Sequence, residues 1–263
     1  MLRTRSAVWM ATAGMLLALG SLGCASTGAK EADAKLASRK ATSHLTLGAD
    51  HLENGRTALA LREFLTAEKL DPLNPRIQYA LGEGYLGRRK PEEAEAHYLR
   101  ALELDPEYHE ARLSLSALYI VGERYEEARS ACQRLVDDPT FPAPWRALAN
   151  LGWAEYKLGQ TGPARKSLRL ALDYSEDYWP ALLSLAVIES EQGRRREAIG
   201  LLEELIEIGP PDKVQAEANY RLAENYIALG RRDRAVGHLT TAAARAPEGE
   251  WARRSKEYLR LLQ

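Results

Sequence analysis

Small and apolar residues return at the same places every 34 residues along most of this chain. Between Pro75 and Tyr108 they read Leu81-Gly82, Tyr85, Ala94, Tyr98, Ala101 and then Asp105-Pro106. The stretch before it carries Leu47-Gly48, Gly55, Ala60, Phe64, Ala67 and Asp71-Pro72. The stretch after it carries Leu115-Ser116, Tyr119, Ala128, Cys132 and Leu135. A period of this size marks a unit too small to bury its own apolar face, so that each copy must stack on the next. Within a copy, Leu81 and Tyr85 put an apolar stripe on a first helix, and Gly82 removes the side chain where a second helix approaches. Ala94, Tyr98 and Ala101 form the facing stripe of that second helix. Pro106 disfavours helix at the residue before it and ends the unit.

Six copies are legible, at 41–74, 75–108, 109–142, 145–178, 179–212 and 216–249, with short insertions before the fourth and the sixth. The fourth has Leu151-Gly152, Gly159, Ala164, Leu168 and Ala171; the fifth has Leu185-Ala186, Gly193, Ala198, Leu202 and Pro210. The sixth has Leu222-Ala223, Tyr226, Gly230, Ala235, Leu239, Ala242 and Pro247. Glu155 and Glu189 stand where the second, third and sixth copies have tyrosine, which implies different packing in the fourth and fifth. The pattern resembles the tetratricopeptide repeat. That resemblance implies an all-α fold, a right-handed superhelix of six helix-turn-helix repeats. Residues 250–263 put Trp251, Ser255, Tyr258, Leu259 and Leu262 on one helical face, as expected of a capping helix that covers the last repeat.

The N-terminus reads as an address. Arg3 and Arg5 lead an apolar run from Ala7 to about Leu19, closed by small residues, which is the layout of a signal peptide over 1–23. The run is short for a membrane span. Ser21-Leu22-Gly23-Cys24 resembles a bacterial lipobox, with Ser21 where leucine is usual. The resemblance implies that Cys24 becomes the first mature residue and carries acyl chains such as palmitate, several of which give stable anchoring. Ala25 in the next place implies sorting to the outer membrane, facing the periplasm. Cleavage after Ala25 instead would leave a soluble periplasmic protein. Residues 24–40 are small, polar and charged, and are expected to form a flexible tether, helical in part, that reaches about 20–25 Å.

Composition excludes more than it assigns. The net charge of −1 becomes −3 without Arg3 and Arg5, and gives no reason to expect a nucleic-acid partner. Two cysteines, Cys24 and Cys132, make no disulfide framework, and Cys132 falls at a core position. The five histidines form no i, i+4 metal pair; His51 takes the place of a motif aromatic and is expected to pack there. Gly82, Gly84 and Gly87 spell a Gly-x-Gly-x-x-Gly fingerprint, but inside a helix, where no strand feeds a phosphate loop. No nucleophile–base pair stands out. The expectation is a non-enzyme without metal, small-molecule substrate or cofactor other than lipid on Cys24.

Two surfaces have the chemistry of recognition. Repeat positions 2, 5, 9 and 12 face the concave side in this family. Here they include Leu45, Leu52, Tyr79, Leu86, Leu113, Ile120, Trp153, Tyr156, Leu183, Val187, Tyr220 and Ile227. Such a row suits an apolar or amphipathic peptide, with Trp153 and Tyr156 as its expected anchors; the alternative is that positions 5 and 12 pack partly against the next repeat. Arg88-Arg89-Lys90, Arg194-Arg195-Arg196 and Arg231-Arg232 fall at turns between paired helices and line one edge, either solvated or in contact with acidic headgroups or an acidic partner.

The combination of signal, Cys24, short tether, six repeats and final helix resembles the type IV pilus pilotins, the PilF/PilW family, most of all those of gliding myxobacteria. The resemblance implies an outer-membrane lipoprotein that binds the secretin subunit and promotes its insertion and multimer assembly, hence pilus formation and motility. A periplasmic scaffold lipoprotein serving another envelope machine is the alternative.

Overall fold

A computed structural model describes the backbone of residues 21–262 and the side chains from Lys30 onward. Most of the expected signal peptide, up to residue 20, lies outside the described residues, as does the side chain of Cys24. Thirteen α-helices and no strand occur among the described residues. They are α1 (Ser21–Glu53), α2 (Thr57–Leu70), α3 (Pro75–Gly87), α4 (Pro91–Leu104), α5 (His109–Val121), α6 (Tyr125–Val136) and α7 (Pro144–Lys157). There follow α8 (Thr161–Tyr174), α9 (Trp179–Glu191), α10 (Arg195–Ile208), α11 (Asp212–Ala228), α12 (Arg232–Arg245) and α13 (Glu250–Leu261). Six consecutive pairs and one final helix reproduce the expected repeats.

The chain forms two compact units, divided after Pro106. In the first, α1 to α4 enclose Ala41, Ala60, Phe64, Ala67, Ile77 and Leu81, all almost fully buried. The pairs close because glycine faces a ring. A Cβ on Gly48 would overlap Phe64, and one on Gly82 would overlap the ring of Tyr98. Gly84 lies against Leu61 and Phe64, and Gly87 against Thr57, so all three glycines of the nucleotide-like fingerprint are explained by packing. Asn74 caps α3 by accepting from the Arg76 N–H at 3.1 Å, and Pro75 takes the first helical position.

The expected flexible tether is corrected. Residues 24–40 belong to one helix of 33 residues, α1, whose later part is the first helix of the first repeat. The stretch is rich in alanine and lysine, good helix formers. It extends a helix that packing already holds, so it bears no nucleation cost. Residues 30–36 are exposed all round. Contact with the repeat begins at Ser38, whose hydroxyl donates to Asp71 at 3.1 Å, and at the fully buried Ala41.

In the second unit, α5 to α13 stack in the same way, with Gly152 under Leu168 as the counterpart of Gly82 under Tyr98. The insertion before α7 is tucked in by Phe141, which is buried against Leu113, Leu135 and Ala147. Gly209, at φ 73°, ends α10 in the left-handed conformation that glycine adopts without steric cost. The last helix caps the unit as expected: Trp251, Tyr258, Leu259 and Leu262 pack on the cluster of Leu222, Ala223, Leu239 and Ala242, and Ser255 is buried.

Glycine at the helix crossing has a measurable consequence. Gly82→Ala should destabilise the first unit by about 1–3 kcal/mol through overpacking, seen as a lower urea midpoint. Gly162→Ala, on a face of α8 with nothing within 4 Å, should not lower it.

Candidate protein-binding groove

The first helices of successive pairs, α5, α7, α9 and α11, border a concavity of about 340 Å³ in the second unit. Ile120, Ala149, Trp153, Trp179, Leu183 and Val187 supply its apolar lining. Asn150, Ser184, Glu217 and Arg221 supply polar groups. These side chains converge because one face of each first helix remains uncovered once its other faces have packed on its partner and its neighbours.

The polar groups are held in place. Asn150 donates from Nδ2 to the Ser116 hydroxyl at 3.0 Å, and Ser116 donates to the Leu113 carbonyl at 2.7 Å. The Ser184 hydroxyl donates to the Pro180 carbonyl at 2.7 Å. Arg221 pairs with Glu217 at 2.7 Å and lies 5.2 Å from the Trp251 ring centre. The Lys157 ammonium lies 5.5 Å from the Trp153 ring, leaving a cation beside the largest aromatic wall. A pocket of this kind offers apolar burial, one positive rim and a few amide and hydroxyl groups.

Four expected groove residues of the second unit line the concavity: Ile120, Trp153, Leu183 and Val187. Val187 is only 4 % exposed and contributes to the floor. Four others do not line it. Leu113 is buried against Phe141, from the segment between α6 and α7. Tyr220 is buried under α13, between Trp251 and Tyr258, at ring distances of 5.2 and 6.3 Å. Ile227 packs on the same terminal cluster.

Tyr156, expected as an anchor, does not line this concavity; its hydroxyl donates to Glu191 and its ring lies 5.4 Å from that of Trp153, the neighbour packing that was the alternative for its register. Burial, followed by the Glu191 carboxylate, pushes that phenol up to about 12. In the first unit, Leu45 and Leu52 pack against the core, Tyr79 is half-buried with its ring 5.9 Å from Tyr98, and Leu86 is exposed.

Sequence reasoning missed Trp179, Asn150, Ser184 and Arg221. The last three share one register, the sixth place of their repeats, which lies a helical turn from the second and ninth places and so on the same face. That spacing was the available signal.

No group of His, Cys, Asp and Glu able to hold a metal occurs among the described residues. Cys132 is buried and its thiol is pushed up to about 12 by desolvation, which makes it an inert core residue. His51 is half-buried at the motif aromatic's place, with its Nδ1 enclosed and without a hydrogen-bond partner.

The two glutamates that replace motif tyrosines are accounted for. Glu155 accepts from the Ser167 hydroxyl at 2.7 Å. Glu189, with a side chain only 1 % exposed, accepts from Arg165 at 2.7 Å and from Arg194. Burial raises its pKa, but the hydrogen bonds and charges of Arg194 and Arg165 outweigh burial and leave the carboxyl below its ordinary 4.5. The sign follows from linkage: the stabilisation is present above about 4.5 and is lost as pH falls through the lower folded value.

The comparisons with known proteins agree with the repeat geometry. Tetratricopeptide-repeat family models match residues 45–86, 79–144, 149–213 and 217–249. The chain belongs to the tetratricopeptide-repeat family.

It is 26 % identical over 161 residues to the type IV pilus assembly protein PilF of Pseudomonas aeruginosa, an alignment covering 59 % of this chain and 64 % of that protein. The chain thus spans somewhat under two thirds of that relative's length. Among solved structures, P. aeruginosa PilF has a TM-score of 0.72 at 18 % identity, covering 84 % of this chain and 99 % of that one. PilW, described as a widely conserved type IV pilus biogenesis factor, has a TM-score of 0.73 at 22 % identity, covering 81 % and 97 %. The Cut9–Hcn1 structure of the anaphase-promoting complex scores 0.74 at 17 % identity, covering 85 % and 43 %. Likeness at these identities shows the fold alone.

Glu189→Gln should lower stability at neutral pH by about 3–5 kcal/mol, because two guanidinium groups lose their buried partner. It should also flatten the loss of stability below about pH 4.5. Urea midpoints measured at neutral and acid pH check both; an acid limb as steep as in the unchanged protein would contradict this assignment.

Proposed function

We propose that this chain is an outer-membrane lipoprotein, anchored through Cys24, that acts as a pilotin. It binds the secretin subunit of a type IV pilus machine and promotes its insertion and multimer assembly, hence pilus formation and pilus-dependent motility. The observation that carries the reading is an apolar concavity walled by Trp153 and Trp179 in a chain similar to a type IV pilus assembly protein. Tetratricopeptide proteins bind protein partners, and a concavity of this lining favours an apolar segment of the client. Capture of that segment shields it from aggregation until subunits pair, while acyl chains on Cys24 keep the complex at the membrane. No step of this role needs a nucleophile, a metal or a bound small molecule.

The test is the amount of heat- and detergent-resistant secretin multimer in outer membranes. Deletion of the gene should abolish the multimer while monomer persists. Cys24→Ala should release the protein from the membrane fraction and reduce the multimer. Trp153→Ala should weaken secretin binding by about 2 kcal/mol or more, a loss typical of a buried aromatic anchor, with native helicity retained. Normal multimers in the deletion strain would overturn the pilotin reading and leave a scaffold for another envelope machine.

A further inference from the structure

The two turn edges of the first unit carry opposite charge. In the first unit the turn from α1 to α2 ends in Arg56, and the turn from α3 to α4 is Arg88-Arg89-Lys90, whereas the turn from α2 to α3 begins with Asp71. The second unit keeps the division in part. Arg194 and Arg231 stand in turns within pairs, and the turn from α5 to α6 is mixed, with Glu123 beside Arg124. Turns between pairs carry Asp137-Asp138, Glu176-Asp177 and Glu248, and the turns at 158–160 and 209–211 are uncharged.

In the first unit, α1 fixes which edge lies toward Cys24. Ser38 is level with Asp71, to which it donates. From Ser38 the helix runs back past the acidic edge for about 21 Å to Cys24, at 1.5 Å per residue. The basic edge begins beyond Glu53, about 44 Å from Cys24 along the same axis. A membrane held at Cys24 therefore adjoins the acidic turn, with the basic turn at the far end.

The basic edge is shaped as well as charged. Arg56, Arg88 and Arg89, together with Thr57, Ala58, Leu59, Gly55 and Gly87, border a concavity of about 440 Å³. Lys90 is neutralised by Glu93 at 2.6 Å, but Arg56, Arg88 and Arg89 form no ion pair among the described residues. The backbone of α2 opens there without a side-chain cap. Three unpaired guanidinium forks around one hollow suit carboxylates, which they bind in pairs of parallel hydrogen bonds.

We propose that this hollow is a second docking site, distinct from the apolar groove, for an acidic polypeptide segment presenting Asp and Glu carboxylates. The choice of a polypeptide over membrane headgroups rests on the reading of Cys24 as the anchor; the charge and shape of the hollow do not. With the groove holding an apolar client segment, the basic hollow faces away from the anchor and engages acidic sequence in the same or another envelope protein.

The test uses the full chain in detergent solution and fluorescein-labelled hexaglutamate. Hexaglutamate should bind saturably and more weakly as salt rises from about 50 to about 300 mM. Arg56→Gln, Arg88→Gln and Arg89→Asn together should weaken binding about tenfold or more at unchanged helicity; asparagine is chosen because Arg89 has φ 59°. Should the triple variant not fold, Arg88→Gln alone should show a several-fold loss. Lys35→Gln, Arg39→Gln and Lys69→Gln, an equal change of charge elsewhere in the unit, should leave the affinity unchanged. Absence of hexaglutamate binding, or an equal loss in the second set, would overturn the proposal. So would phosphatidylglycerol vesicles binding through the three arginines more tightly than hexaglutamate.

Discussion

The closure of each helix pair over a small residue, glycine in the first, second and fourth pairs and Ser116, Ala186 or Ala223 in the others, is the constraint on which the rest depends. Gly48 under Phe64, Gly82 under Tyr98 and Gly152 under Leu168 let backbone and side chain meet at distances that a Cβ would forbid. With that contact made, the small residues Ala60, Ala94, Ala164, Ala198 and Ala235 fall buried at the same place in successive second helices. Each pair then exposes apolar surface that only another pair, or α13 at the end, covers. The stability of such a stack is shared between neighbours rather than held in one centre.

Because the crossing does the holding, other positions are free to change chemistry. The fourth and twenty-third places of a repeat meet across each pair. In three repeats they form a polar clasp: His44 with Glu63 at 2.8 Å, His97 with Gln78 at 2.8 Å, and His238 with Asn219 at 2.9 Å. His97 and His238 also stack on the motif tyrosines Tyr85 and Tyr226, and burial holds both imidazoles below their ordinary 6.5. In the fifth repeat the same places hold Leu182 and Leu201, and polarity moves instead to the buried Glu189 with its two arginines. The histidines that formed no metal pattern in the sequence thus have a structural use.

Fold class, pair order and the capping helix were legible in the sequence because each rests on a local residue pattern that one register repeats six times. The groove was legible by half. Ile120, Trp153, Leu183 and Val187 line it because the family register places them there, but a register does not know what covers a face. Leu113 was lost to Phe141, from the segment between α6 and α7, and Tyr220 to a helix from beyond the last repeat. Tyr156 is tied to the neighbouring pair instead, because Glu191, one pair further on, accepts its hydroxyl. Each miss is a tertiary contact that the repeat register does not encode, made by residues of a neighbouring pair, of the last helix or of the irregular end of the third repeat.

The segment after Cys24 was misread for a different physical reason. Judged alone, 24–40 has too little to bury and reads as a coil; judged as an extension of a helix already anchored at Ala41, it propagates without a nucleus of its own. The reach scarcely changes, since a coil and a helix of this length both span about 20 Å. What changes is orientation. If Cys24 is the anchor, as proposed, a coil would let either turn edge of the first unit meet the membrane, so the basic turns would be drawn to anionic headgroups. A helix continuous with the repeat holds the acidic turn nearer the anchor and sets the arginines about 44 Å away along the axis. Under the proposed anchoring at Cys24, charge at the basic turns would act at a distance from the lipid and be available to a polypeptide partner.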